Sequence, residues 1–233
     1  MTKTIIKKAF TKSKTSYNKY AHMQKEIAQE LYAKSKKYIK PNDIILEIGS
    51  GSGFLTKHIK NNLITIDIVK NHNNTIVADM DHLPLKRKFD IVISSMALHW
   101  SENIVKVFKN VKTIIKKNGL LICAMPIQPS QHTLQKALSK TFQHPAYFNF
   151  PSIQNILQTI KQLNGEITSL DIKKKTFSFP SFKKICRYFT KTGTHRYSEE
   201  QIILTKNSSK QLKKELGKRP SIEYTICFLT IKF

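Results

Sequence analysis

Apolar residues recur at spacings of three and four through Ala21, Gln24, Ile27, Ala28, Leu31 and Tyr32. That period predicts a helix over Tyr17 to Lys40, ended by Pro41. Beyond the proline the pattern changes to short continuous apolar runs. Ile44-Ile45-Leu46 reads as a buried strand, Gly49 to Gly53 as a loop, and Phe54 to Lys60 as the start of a helix. Further strands are expected at Leu63–Ile68, Thr75–Ala78, Phe89–Ser94 and Leu120–Met125, the last stopped by Pro126. Glu102 to Lys117 reads as a helix closed by Asn118-Gly119. Strands alternating with helices predict an α/β fold with a parallel, doubly wound sheet. The stretch from Asp67 to Thr75 is too short for a full crossover helix, so a tight connection is expected there.

After Pro129 the order of elements changes. Helices are expected over Gln131–Phe142, Ser152–Leu163, Phe182–Lys191 and Glu199–Leu216, with a strand within Glu166–Phe179 and a closing strand over Ser221–Lys232. Without repeats or a Gly/Ser linker, residues 1–233 read as a single domain. Residues 1–40 would form an N-terminal helical cap, 41–128 a ligand-binding core, 129–220 a helical lid and 221–233 the closing strand.

Composition adds limits. The 233 residues suffice for a substantial core. No apolar run approaches the roughly 20 residues of a membrane-spanning helix, and the basic N-terminus lacks the apolar stretch of a secretory signal. Cys123, Cys186 and Cys227 are far apart and show no metal-ligand spacing, so they read as buried thiols in a reducing compartment. No metal and no membrane are expected, and the chain reads as a cytoplasmic monomer. The net charge of +25 favours polyanionic or acidic partners. Lysine abundance along the whole chain supplies much of that charge without any functional demand.

Candidate chemistry begins at Glu47-Ile48-Gly49-Ser50-Gly51-Ser52-Gly53, which follows a strand. Glycine permits the close backbone approach that a ligand against a turn needs. In an open parallel sheet this loop lies at the carboxyl end of the first strand, where ligands bind. A Gly-rich loop alone also suits a dinucleotide. Glu47, however, would repel a pyrophosphate and suits the cationic amino acid part of S-adenosylmethionine. Asp67, ending the second strand, can accept both ribose hydroxyls. Asp79 can accept from the adenine amino group, while Met80 packs on the ring or simply fills core. Ser94 to Trp100 should face the methyl donor, with His99 and Trp100 more often structural in such a place. Gly49, Gly51, Gly53 and Ser94 complete the candidate cofactor set. No Asp-Pro-Pro-Tyr-like tetrapeptide and no Pro-Cys nucleophile follows the fourth strand, which disfavours two kinds of base methylation.

Taken together, these residues resemble the malonyl-acyl carrier protein O-methyltransferase family of biotin synthesis, nearly end to end. Phe10, Tyr17, Ala21 and Gln24 resemble that family's N-terminal Phe…Tyr-x-x-x-Ala-x-x-Gln helix. Asp79 to Leu85 resembles its Asp-x-x-x-Leu-Pro segment, and Ser94 to Trp100 its Ser-Asn-x-Ala-x-Gln-Trp stretch, with Ser95 and His99 replacing Asn and Gln. Phe148 to Ser152, Arg187 to Gly193 and Tyr224 to Ile231 resemble later segments that generic methyltransferases lack. Three departures stand out: the short connection after Asp67, Phe150 in place of Arg after Asn149, and no Gly in Leu229-Thr230.

The resemblance implies a Rossmann-like methyltransferase fold with an N-terminal helix and a helical lid. It also implies S-adenosylmethionine as cofactor and methyl transfer to the free carboxylate of malonyl on acyl carrier protein. A carboxylate is already ionised at neutral pH, so alignment matters more than a base. Arg187 is the candidate to grip that carboxylate in a bidentate fork; a surface arginine on a lid helix is its other reading. Tyr17 is the candidate to close over the cofactor and order the carboxylate, or else only to pack. The acidic carrier protein gives the positive charge a specific partner. The alternatives are an RNA or DNA methyltransferase, with Phe177 to Tyr188 stacking bases, and a cofactor-binding protein without catalysis, against which Glu47, Asp67 and Asp79 weigh.

Overall fold

The N-terminal apolar spacing produces two helices where the sequence predicts one. In the computed structural model, which describes residues 3–71, 75–142, 148–194 and 205–233, α1 spans Lys3–Tyr20 and α2 spans His22–Ser35. The break falls at the fully buried Ala21, whose N–H still donates to the Tyr17 carbonyl at 2.8 Å. The buried residues of α1 are Ile6, Ala9 and Ser13, two of them small, so no apolar stripe marked this helix.

Seven strands pair among the described residues: β1 (Ile44–Ile48), β2 (Asn62–Asp67), β3 (Thr75–Val77), β4 (Phe89–Ser95), β5 (Ile115–Ile127), β6 (Glu166–Ser178) and β7 (Ser221–Lys232). Their order is β3-β2-β1-β4-β5-β7-β6, and the first five are mutually parallel. β7 runs back along β5, since Asn118 N–H donates to the Phe233 carbonyl and Phe233 N–H to that of Gly119. The expected doubly wound α/β sheet is present. Its strand order reverses between β1 and β4, which places the ligand crevice at their carboxyl ends.

Two expected helices are cut back by length. After the Gly loop, Phe54 to Lys60 forms only a 3-10 turn over Thr56–His58. A five-residue strand rises about 17 Å. An α-helix would need about 11 residues at ~1.5 Å each to return that distance. Only Phe54 to Asn61 are available before β2, so the chain returns in a more extended path. On β3, Ile76 and Val77 stay exposed. Helix α3 (Ile104–Ile114) is capped by Asn103, whose side chain accepts from Val105 and Lys106 N–H. It ends three residues before the predicted Lys117, because residues 115–119 already extend as β5. Pro126 lies inside β5, which continues to Ile127.

The remaining helices are α4 (His132–Thr141), α5 (Ile153–Gln162), α6 (Phe182–Thr192) and α7 (Lys206–Leu216). Ser152 caps α5 at its predicted start, whereas the predicted start of the last helix at Glu199 lies outside the described residues. No helix among the described residues is long and apolar enough to cross a membrane.

The chain divides into two compact units. The sheet unit comprises residues 22–128, 151–173 and 226–233. Its core joins Leu46, Ile48, Val92, Phe108, Met125 and Ile156, so α5 belongs to the packing of the sheet. The helical unit comprises residues 1–21, 129–150 and 174–225. There α1 packs on α6 and α4 on α7. Gly193 closes α6 with φ +72°, and a Cβ on it would meet Ser13 Oγ at 2.7 Å and the Ala9 carbonyl oxygen at 2.9 Å. Buried Gln131 donates to the Tyr224 hydroxyl at 2.6 Å.

Candidate active site

The loop after β1 is built on residues that tolerate no ordinary side chain. Gly49 has φ +73°, and a Cβ on it would fall 2.2 Å from the Ala97 Cβ. Its N–H donates to the Ile66 carbonyl at 2.8 Å, which ties the loop to β2. Gly51 (φ +51°) has open space where a Cβ would stand, so its backbone is accessible to a ligand. Gly53 also has positive φ and donates to the Ser50 carbonyl at 2.9 Å.

Glu47, near the end of β1, is only 1% exposed. Thr56 Oγ1 donates to its Oε2 at 2.6 Å. Burial raises its carboxyl to about 7; the Thr56 hydrogen bond opposes that and the nearby Asp67 charge adds to it. A buried carboxyl poised between its two forms is a natural seat for an incoming ammonium, which would draw it into the ionised form.

Asp67 stands at the end of β2, as expected. Its Oδ2 accepts from Gly51 N–H at 2.8 Å and its Oδ1 from Val69 N–H at 2.9 Å. The carboxylate therefore braces the Gly loop at the end of β2. Asp79 accepts from Asp81 N–H at 3.0 Å through Oδ1, while His82 Nδ1 lies 3.9 Å from Oδ2. Met80 packs against the sheet core, in keeping with the filling role left open for it. Ser94 is completely buried and donates to the Ile48 carbonyl at 2.8 Å, fastening β4 to β1 beneath the loop.

Three residues add to the site beyond those the sequence singled out. Ser95 follows Ser94 and points to the opposite face of the strand. Among the described residues its buried hydroxyl has no hydrogen-bond partner, and the same holds for Ser50 and Ser52 on the loop. Orphaned buried hydroxyls are uncommon and fit a polar ligand. Asp81, 4% exposed, accepts from the Ser101 hydroxyl and from Glu102 N–H, and so pins the Asp79-Met80 segment to the entry of α3. Thr56 orients Glu47. Ser95 stood in the stretch expected to face the methyl donor and Asp81 beside Asp79, whereas Thr56 carried no sequence signal.

The end of β4 is strained. Met96 has φ +54°, a region a side chain rarely occupies, immediately before the Ala97 that lies under Gly49. His99 follows in a 3-10 turn, with burial pushing its imidazole down to about 3 and its ring tilted on Trp100. It is neutral throughout the physiological range and out of reach as a general base.

Tyr17 and Arg187 belong to the helical unit. Tyr17 is half-buried near the end of α1, and Arg187 is exposed on α6.

A buried acid before a left-handed Gly loop, aspartates at or just past the next two strand ends and buried hydroxyls at the switch point are the kinds of groups that S-adenosylmethionine requires. The residues fit that cofactor, and the chain is a methyltransferase by fold and site. The sequence profile of the methyltransferase domain family matches residues 20–170, and the chain belongs to that family. It is 29% identical over 153 residues to a malonyl-acyl carrier protein O-methyltransferase of Hahella chejuensis, a match covering 58% of this chain and 54% of that protein. To the protein of the same description from Hamiltonella defensa it is 23% identical over 218 residues, covering 87% of this chain and 83% of the relative. The crystal structure of the YcgJ protein of Bacillus subtilis shares the fold with a TM-score of 0.62 at 15% identity, covering 88% of this chain and 97% of that one.

Proposed function

We propose that this enzyme methylates the free carboxylate of malonyl carried on acyl carrier protein, giving the methyl ester that enters biotin synthesis. The observation that carries the reading is the likeness to malonyl-acyl carrier protein O-methyltransferases. It extends over 87% of the chain for the Hamiltonella protein, well past the cofactor core. The chemistry of the site agrees with such an acceptor. A malonyl carboxylate is ionised at neutral pH and needs no base. The one imidazole at the end of β4, His99, is held too low to supply one.

When bound, S-adenosylmethionine supplies a methyl group on a positively charged sulfur. Glu47 offers its carboxylate to the ammonium, and Asp67, at the end of β2, is the acceptor proposed for the ribose hydroxyls. Asp79, held by Asp81, is set for the adenine amino group, with Met80 beside the ring. Ser50, Ser52 and Ser95 supply hydroxyls without protein partners. Gly49 and Gly51 let the loop approach closely, and Gly53 completes its turn. Ser94 supports this site by holding β4 to β1. Arg187 is the proposed grip on the malonyl carboxylate, and Tyr17 the residue that orders it. A carboxylate oxygen so gripped would take the methyl group as the methyl–sulfur bond breaks, the bond's electron pair staying on the sulfur, so that the negative charge of the carboxylate and the positive charge of the sulfonium are lost together.

The test offers methyl-labelled S-adenosylmethionine with malonyl-acyl carrier protein or with bulk RNA. Base-labile label on the carrier protein supports the proposal. Base-stable label in RNA would sink it, and binding of cofactor without transfer to either acceptor would favour an inactive homologue.

A further inference from the structure

The positive charge is not spread evenly. Of the forty Lys and Arg residues, twenty-one fall in the helical unit, against only four of the fifteen Asp and Glu. Helix α6 sorts its side chains sharply. Ile185, Tyr188, Phe189 and Thr192 are buried, while Lys183, Lys184, Arg187, Thr190 and Lys191 are exposed. The exposed residues follow helical spacing, so Lys183, Arg187 and Lys191 form one row with Lys184 beside it. The row extends about 12 Å along the helix. Among the described residues, none of these four cations makes an ion pair or a side-chain hydrogen bond. The packing partner α1 contains no acid either. Among the described residues no carboxylate offsets the mutual repulsion of these four cations.

We infer that this face of α6 is the docking surface for the acidic carrier protein. The inference rests on the reading of the enzyme as a malonyl-acyl carrier protein methyltransferase and adds where the protein part of the substrate is held. A row of lysines flanking Arg187 complements a run of carboxylates on a partner helix. It steers the partner in through long-range attraction that salt screens.

The test uses the full chain carrying Lys183→Glu, Lys184→Glu and Lys191→Glu together, with Arg187 left intact. A control of equal charge change carries Lys36→Glu, Lys60→Glu and Lys109→Glu on exposed positions of the sheet unit. A milder set, Lys183→Gln, Lys184→Gln and Lys191→Gln, guards against misfolding of the reversed variant. KM is measured for malonyl-acyl carrier protein and for a small malonyl thioester, and carrier binding by fluorescence anisotropy. Reversal on α6 should raise KM for the carrier substrate about tenfold or more and weaken carrier binding equally. The glutamine set, which places no carboxylate beside Arg187, should show a smaller change of the same sign and leave KM for the small thioester unchanged. An equal loss in the control would overturn the docking face in favour of overall charge. An unchanged KM for the carrier would overturn it as well, as would tighter binding of this face to single-stranded RNA than to carrier. If the wild type methylates no malonyl-acyl carrier protein at all, the functional reading itself has failed.

Discussion

In the sheet unit eleven acids face nineteen Lys and Arg residues, whereas in the helical unit four face twenty-one. Seven of these eleven acids are committed to structure or to the candidate site. Glu47, Asp67, Asp79 and Asp81 cluster on strand ends around the Gly loop, and Asp171, Glu30 and Asp90 pair with Lys34, Lys173 and Lys116. In the helical unit Glu215 pairs with Lys140, and Glu223 turns a buried carboxylate oxygen inward. The difference separates two sources of charge in a lysine-rich chain. A carboxyl retained on such a background marks chemistry or a specific contact. A cationic face with no carboxyl nearby marks either composition or an acidic partner, and only perturbation tells these apart.

The comparison breaks first at the loop. Gly49→Ala adds left-handed strain of roughly 1–3 kcal/mol and an overpacking cost of similar size. That total, roughly 2–6 kcal/mol, destabilises the native loop, and its displacement should weaken S-adenosylmethionine binding, measured by calorimetry, on the order of 100-fold or more. Adding Ala97→Gly should recover part of the loss, by relieving the clash but not the strain. Full affinity in Gly49→Ala would show that the loop is not the cofactor seat.

Next in size is Arg187→Ala. Loss of one charge-assisted grip should lower kcat/KM for the malonyl substrate roughly 10- to 100-fold, with cofactor affinity unchanged. A fall in cofactor affinity instead would reassign Arg187.

Glu47 gives a pH signature. Between 4.5 and about 7 the folded chain holds a proton on this carboxyl that the unfolded chain has released. Stability from this group is therefore full at the acid end and lost as pH rises through that window. An ammonium that needs ionised Glu47 adds the opposite trend for binding: cofactor affinity should climb up to about tenfold per pH unit below 7 and then level off. Glu47→Gln should flatten both curves. The same pH dependence in the variant would remove Glu47 from ammonium recognition.

The smallest effect is expected at the half-exposed Lys34–Asp171 pair. Asp171→Asn should leave the melting temperature and both substrate affinities within error, since such pairs contribute little. A large loss would mean that paired acids of the sheet unit do more than balance charge.

Much of the cofactor half was legible in the sequence. Short apolar runs marked β1, β2 and β3, and Glu47, Asp67 and Asp79 fell at or just past their ends in the expected order. The helix expected over Ser152–Leu163 corresponds to α5. What stayed hidden had physical causes. Helix α1 buries small residues, so hydrophobic spacing could not find it. The helix expected after the Gly loop was lost to a length constraint that appears only once β1 and β2 are known to be parallel neighbours. Ser94 and Ser95 look equivalent in sequence, yet strand alternation commits one hydroxyl to Ile48 and leaves the other open. Thr56 acquires its role only through the fold that brings it to Glu47.

The most direct measurement is the intact mass of malonyl-acyl carrier protein after incubation with the enzyme and S-adenosylmethionine. The expected product is the carrier heavier by one methyl group, with the gain removed by mild base and absent when the carrier bears acetyl in place of malonyl. An unchanged carrier mass under conditions where the enzyme binds cofactor, or a methyl gain that also appears on acetyl-carrier, would contradict carboxyl methylation.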